Sequence, residues 1–423
     1  MPSDVEVVVD PDTYTTGVPH RALTRLREEG VVRAGGAVSV FRHADVRTVL
    51  RTPEVFSSWL GGTQLRDPAT PQDLDYVRRM MLNTDPPDHT RLRGLLTKAF
   101  TPRAVAALEA RIARWARDLV APLADGEPVD FAHVVADLPL LTLAEVFGVP
   151  HRDRALMFDW SNRVIGYQDE ELANSAGDTT GMSDMALRAL ELRPDPQPDP
   201  RARGGMPDLY AYAHALGELK RREPGDDVMS NLMRHDVAVE EFETLFWLFS
   251  VAGNETLRNG IPGGLVALMD HPDQYEHLKR DRAALPRAVE EMLRWWTPVM
   301  HFRRTATTAT RLGGVPVAQG DKVVVWFTSA NRDERVFADP DRFDVTRDRV
   351  EHLSFGHGPH FCLGAHLARV QLRALFSSVL DLPGFLVPAG PADRLRSNFQ
   401  NGVKRLPVRL VAAGPRGAAP GRG

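Results

Sequence analysis

Apolar residues recur at helical spacing through most of this chain, the pattern of segments that bury one face. Residues 19–125 read as amphipathic helices interrupted by AVSVFRHADV, whose alternation predicts an edge hairpin beside a helix. Helical periodicity dominates residues 130–192, where LPLLTLAEVFGVP closes on Gly148 and Pro150, a helix stop. Residues 193–208, RPDPQPDPRARGGMPD, hold too much proline and glycine to continue a helix and too much charge to pack as core, which predicts a mobile surface loop. A second helical block covers residues 209–296, and its centre, FETLFWLFSVAGNETL, is apolar around most of its circumference, as in a helix buried through the middle of a protein. After Pro298 the pattern turns to strands: GGVPVAQGDKVVVWF predicts a hairpin and ANRDERVFADPDRFD an irregular connection. HLARVQLRALFSSVL is helical again, and the glycine- and proline-rich residues 412–423 predict a disordered tail. With no internal repeat and no linker between two cores, one mainly α domain with a small strand component is expected over residues 1–411.

Composition narrows the function classes. Hydrophobic residues make up 43% and charged residues 26%, the balance of a globular protein able to bury a sizeable core. A net charge of -4 provides no global attraction to nucleic acid or to anionic lipid, so a small neutral substrate fits best. The amino terminus lacks a cationic segment followed by a long apolar run, and no apolar stretch reaches spanning length, so a cytoplasmic protein without membrane insertion is expected. The one cysteine, Cys362, excludes an intramolecular disulfide and a cysteine-based zinc cage.

Cys362 lies in HLSFGHGPHFCLGAHLAR, between glycines and just ahead of a helical pattern. Gly356, Gly358 and Gly364 would let backbone approach a flat cofactor, and amides opening the next helix could point at the sulfur and temper its charge. From the residues alone, three other readings stay open: a buried structural thiol, a zinc site drawing on His352, His357 and His360, and a phosphate loop. The phosphate loop lacks its Gly-Lys-Ser/Thr ending, and histidines so close in a glycine turn converge poorly with Cys362 on a tetrahedral metal.

FGHGPHFCLG resembles the haem-binding signature of the cytochrome P450 family, with Phe355, Gly356, Gly358, His360, Cys362 and Gly364 at matching places. The resemblance implies that Cys362 is the axial ligand of the iron in haem b (iron protoporphyrin IX), that Phe355 packs beside its sulfur, and that His360 meets a propionate. Thiolate ligation favours O–O cleavage. AGNET, residues 252–256, lies in the apolar helix and resembles the family's oxygen-activation motif. Ala252 and Gly253 are small enough for close approach to a haem face, and the Thr256 hydroxyl can bond the carbonyl of Ala252 and open a groove for dioxygen. Glu255 and Thr256 would then form an acid–alcohol pair that delivers protons. Alone, AGNET would suit a small-residue helix crossing with a capping threonine. Pro262, shortly after it, predicts a bend or an early helix end.

Glu291 and Arg294 resemble the family's ExxR pair, which the resemblance joins to Arg342 in a buried network that locks the cysteine loop. By itself such a pair is common on exposed helices. Resemblance also assigns the propionates to His89 and Arg93, four apart on one helix face, to Arg304 (Arg303 being the neighbouring alternative) and to His360. Apolar substrate contacts are expected from residues 59–76, Ser250, Val251, Val299 and Met300.

The resemblance spans residues 10–410 and implies the cytochrome P450 fold: a mainly α helical prism with a small β-rich domain and haem between the central helix and the cysteine loop. The proline-rich loop falls between two helices that usually form the substrate lid, a departure from compact bacterial members. The implied activity is monooxygenation of an apolar small molecule such as a terpenoid, steroid, lipid or secondary metabolite. Dioxygen is the co-substrate. A separate ferredoxin with its NAD(P)H-dependent reductase supplies electrons, because no flavin or iron–sulfur segment is present, and a monomer is expected. Arg91, Lys98, Arg103, Arg369 and Arg373 would form the basic docking patch, a solvated helix face being the alternative. A peroxide-using or non-oxidative haem-thiolate enzyme, and a non-catalytic haem protein, are the other classes that retain Cys362.

Overall fold

The computed structural model of the chain describes residues 2–173 and 179–412. Helices supply most of its core. On Pro102–Val120, Val105, Ile112, Ala116 and Val120 are buried while Arg103, Arg114 and Arg117 are exposed, and the buried stripe packs along the helix Ala365–Asp381. The helix Asp137–Phe147 ends at Gly148, left-handed at φ 71°, as its sequence predicts.

A five-stranded sheet runs in the order Val31–Ala34, Ala37–Val40, Lys322–Trp326, His301–Ala306, Phe56–Ser57. The expected edge hairpin beside a helix forms, with Val31–Ala34 as the edge strand and the helix His43–Arg51 following; Ala37–Val40 is its inner strand, antiparallel to Val31–Ala34 and parallel to Lys322–Trp326. All four of its residues are buried because the sheet is covered on both faces, Val38 and Val40 joining one apolar cluster and Ala37 another. The predicted late hairpin resolves differently. Val315–Val317 pairs back onto Thr310–Leu312, and Lys322–Trp326 leaves for the large sheet. Local alternation identified both strands, but their partners are set by distant segments.

The apolar central segment forms two helices, Val239–Ala252 and Glu255–Asp270, with Gly253 and Asn254 between them. The interruption precedes Thr256, and the Thr256 hydroxyl donates to the Ala252 carbonyl at 3.0 Å, the bond its spacing predicts. Pro262 does not end the second helix, which continues through it to Asp270. Its neighbours explain the tolerance: a side chain at Gly263 would collide with Trp296 and one at Gly264 with Phe376, so IPGG lets this helix press onto Leu285–Trp296 and Ala365–Asp381.

The proline-rich loop is only partly a surface segment. Pro200 and Met206 are buried, the Trp247 indole donates to the Pro200 carbonyl at 3.2 Å, Gln197 donates to the Gly205 carbonyl at 2.7 Å, and a helix already starts at Pro207. Proline carries apolar surface as well as breaking helices, and here that surface packs. Ala412, expected to open the tail, is the last residue of the strand Pro407–Ala412 and pairs with Gly384; the remainder of the predicted tail lies outside the described residues.

Candidate active site

One apolar cavity of about 330 Å³ is lined by the cysteine loop, the interrupted central helix, residues 61–69 and the proline-rich loop. Phe355, Gly356, His360, Cys362 and Gly364 line it together with Val251, Ala252, Gly253 and Thr256. The loop is wound by its own backbone: Gly356 N–H donates to Leu353 at 2.9 Å, Phe361 N–H to Gly358 at 3.0 Å and Cys362 N–H to Phe355 at 2.9 Å. Gly356 and Gly358 both sit at φ 71°, where a side chain is strained, and at Gly358 a side chain would also strike the Leu50 carbonyl. Cys362 is open only in the sense that it faces the cavity, which itself lies deep among protein atoms. Burial pushes its thiol pKa up, opposed by the Gly364 N–H bonded to the sulfur and by Arg93 and Arg369. An iron cation at that sulfur would reverse the balance, since a coordinating thiol is held as thiolate.

Arg93, Arg304, His89 and His360 also line the cavity. His89 and Arg93 are carried by the helix Asp88–Thr97, and the His89 and His360 rings meet tilted at 38°, with centroids 4.0 Å apart. Burial pushes His89 down to about 4, Arg93 adding to the effect, and pushes His360 down to about 2 with help from Arg304, His89 and Arg93. Burial likewise lowers Arg304 to about 10, partly opposed by Asp85. Neither Arg93 nor Arg304 forms an ion pair with a carboxylate among the described residues, whereas the alternative, Arg303, is taken by Asp67. Buried cations without counter-charge are costly, and the two carboxylates of a haem fit this rim. The His360 Nε2 also lies 3.3 Å from Ser58 Oγ, a partner with no signal in the sequence.

Glu255 is not brought to the cavity. It is fully buried, accepts from Ser161 Oγ at 2.8 Å and pairs with Arg258 at 3.2 Å, while Thr256 lines the cavity alone. Successive helical residues point about 100° apart, so the pair cannot share one face without rearrangement. The same geometry corrects the substrate set. Val251 and Val299 line the cavity, but the Ser250 hydroxyl turns back to the Phe246 carbonyl at 2.8 Å and Met300 is fully buried. Within residues 59–76, Trp59 lies under Arg78 and Tyr76 packs on Tyr210, outside the lining. Trp247, Leu248 and Phe302 line it unpredicted. Stepping back by four from Thr256 through Ala252 reaches Leu248, a signal present in the sequence.

The ExxR pair is buried and bidentate, Arg294 reaching both Glu291 oxygens at 2.7 Å. Arg294 also donates to the carbonyls of Asn331, Pro340 and Arg342 at 2.9, 2.9 and 3.2 Å. Arg342 thus contributes its backbone only; its side chain is mostly exposed, 3.8 Å from Asp344, and the second arginine on Glu291 is Arg347, at 3.3 Å. In urea unfolding, Arg347→Ala should cost about 1–3 kcal/mol and Arg342→Ala no more than about 0.5 kcal/mol. The reverse order would return the role to Arg342. Asn331 extends the network to the cysteine loop, accepting from Leu353 N–H at 2.7 Å and donating to Ser354 Oγ at 2.9 Å.

Two of the proposed docking cations are engaged. Arg369 grips Glu290 with two 2.7 Å bonds and covers the Phe355 ring at 4.5 Å, and Arg91 pairs with Glu241. Among the described residues, no group of three or more His, Cys, Asp or Glu is disposed to hold a metal ion, which removes the support for a histidine zinc site, and no helix is long and apolar enough to cross a membrane.

The cytochrome P450 family model matches residues 225–397. A steroid C26-monooxygenase of Rhodococcus jostii is 35% identical, over 94% of this chain and 83% of its own length. Linalool 8-monooxygenase of Pseudomonas putida is 36% identical, over 95% of this chain and 98% of its own. A Mycobacterium marinum cytochrome P450 solved with pseudoionone superposes with a TM-score of 0.82 at 33% identity, covering 97% of this chain and 99% of that one. Similarity over nearly the whole length, on a fold that gathers the single cysteine, the small-residue helix break and a cationic rim at one cavity, shows that this chain belongs to the cytochrome P450 family of haem-thiolate monooxygenases.

Proposed function

We propose that Cys362 ligates the iron of haem b, that His89, Arg93, Arg304 and His360 hold its propionates, and that the enzyme inserts one atom of dioxygen into an apolar small molecule such as a terpenoid, steroid, lipid or secondary metabolite. What supports this is the convergence, on a single apolar cavity, of the one thiol, the helix break, two arginines without a carboxylate partner among the described residues and two neutral imidazoles. Haem, when bound, supplies dioxygen binding and one-electron redox chemistry at iron, with the thiolate favouring O–O cleavage.

The chain supplies the rest. Gly364 N–H tempers the sulfur charge, and Phe355 lies between the cysteine loop and Arg369. Leu248, Phe249, Val251, Val299 and Phe302 exclude water and select an apolar body. Thr256 Oγ1 is the proton donor on the cavity, its orientation set by the Ala252 carbonyl; Glu255 reloads it only by leaving Ser161 or Arg258. Thr256→Ala should keep electron consumption while product per electron falls several-fold, measured as product formed against NAD(P)H oxidised. Full coupling in that variant would remove Thr256 from the proton path.

A catalytic domain over residues 1–411, monomeric and cytoplasmic, fits this reading, with a ferredoxin and its NAD(P)H-dependent reductase as the electron source. Lys98, Arg103 and Arg373, which have no ion pair among the described residues, are the remaining docking cations. The test of the reaction is turnover of steroid and terpenoid candidates with a surrogate ferredoxin system under isotopically labelled dioxygen. Label in the product supports monooxygenation; product labelled only from water opposes it.

A further inference from the structure

The cavity is apolar apart from its haem-facing cations and a set of charges from residues 66–73 and 199–201. Those charges do not balance. Asp67 is matched by Arg303 and by Lys322 at 3.0 Å, and Asp73 is held by Thr70 at the start of a short helix. Asp199, the acid nearest Arg201 in sequence, is committed elsewhere: its carboxylate pairs with Arg66 and accepts the Arg201 backbone N–H at 3.0 Å. The Arg201 side chain instead lies flat on the Tyr167 ring, 4.0 Å from its centroid, and has no carboxylate partner among the described residues. Its charge is felt deep in the protein, for it adds to the burial that pushes His301 down to about 4, against the opposing Asn398 amide.

Arg201 is also held in place. The Trp247 indole fixes the preceding carbonyl, that of Pro200, and Trp247 itself lines the cavity. A guanidinium pre-set on an aromatic face keeps its fork of N–H donors free, which suits bidentate recognition of a carboxylate. Resting on the apolar-substrate reading above, we propose that Arg201 is a specificity-determining residue that binds the carboxylate end of an amphiphilic substrate, whose apolar body fills the cavity toward the haem. The substrate class is then an apolar carboxylic acid rather than a neutral hydrocarbon or alcohol.

The test is a titration of the haem-loaded enzyme with dodecanoate and with dodecan-1-ol at about pH 7.5, where the acid is ionised, following the Soret shift that reports water displacement from iron. The parent should bind dodecanoate at least about tenfold more tightly than the alcohol, and Arg201→Gln should erase that preference while leaving the alcohol unchanged. Arg201→Lys should retain part of it. A merely structural role for Arg201 would weaken both probes together and overturn the proposal, as would equal binding of dodecanoate by parent and Arg201→Gln. If neither probe moves the Soret band while the thiolate spectrum is intact, the apolar-substrate reading fails, and this proposal with it.

Discussion

In the Cys362→Ser protein, the reduced and carbon-monoxide-treated spectrum loses the red-shifted Soret band of a thiolate-ligated haem, and turnover falls to background. Serine keeps the size of the side chain but not its electron donation, and its hydroxyl does not deprotonate beside Gly364 and Arg93 as a metal-bound thiol does. No other cysteine exists to substitute. Because the loop is wound by backbone bonds donated to the carbonyls of Leu353, Phe355 and Gly358, the far-ultraviolet dichroism should be unchanged, which separates loss of the ligand from loss of the fold. A thiolate-type band surviving in this variant would remove Cys362 from the iron.

Arg294→Ala has the largest expected effect on stability. Both partners of the Glu291–Arg294 pair are fully buried, and Arg294 holds Glu291 through two bonds, beside the longer one from Arg347, while serving three carbonyls of the connection that follows residue 330. Removing Arg294 leaves Glu291 with Arg347 as its one cation among the described residues and strands several acceptors, at a cost of about 3–5 kcal/mol. The loss should reach the haem, because Asn331, whose carbonyl Arg294 fixes, holds Leu353 and Ser354 at the root of the cysteine loop. Haem content per chain and the urea midpoint should therefore fall together. A variant with a lowered midpoint but full haem content would show that the network supports the fold without positioning the ligand.

What the sequence announced best is local. The cysteine loop, the Ala252–Thr256 break and the His89–Arg93 face each lie within one short segment, where spacing alone sets which groups can meet. Arg347 was hidden because residues 331–353 have no period from which to read direction, and an arginine five residues too early matched the motif equally well. That Glu255 and Ser250 lie off the cavity could not be read without helical phase: the pattern marked the helix as buried all round but could not say which stripe faces the cavity. The packing of the proline-rich loop was not legible from composition, since its contacts run to Trp247 and Arg66, which composition does not connect to it.

The network behind the cysteine loop also sets an order in time. Ser58 and His360 meet across 302 positions, and His43 reaches the Glu351 carbonyl across 308. Closing such loops is slow, and chains grow from the amino end. On a ribosome, the helices that line most of the chamber are therefore made long before the thiol that completes it. The thiol is thus among the last parts of the pocket to be made, and a truncation that ends before Cys362 removes the ligand while leaving most of the residues that line the cavity.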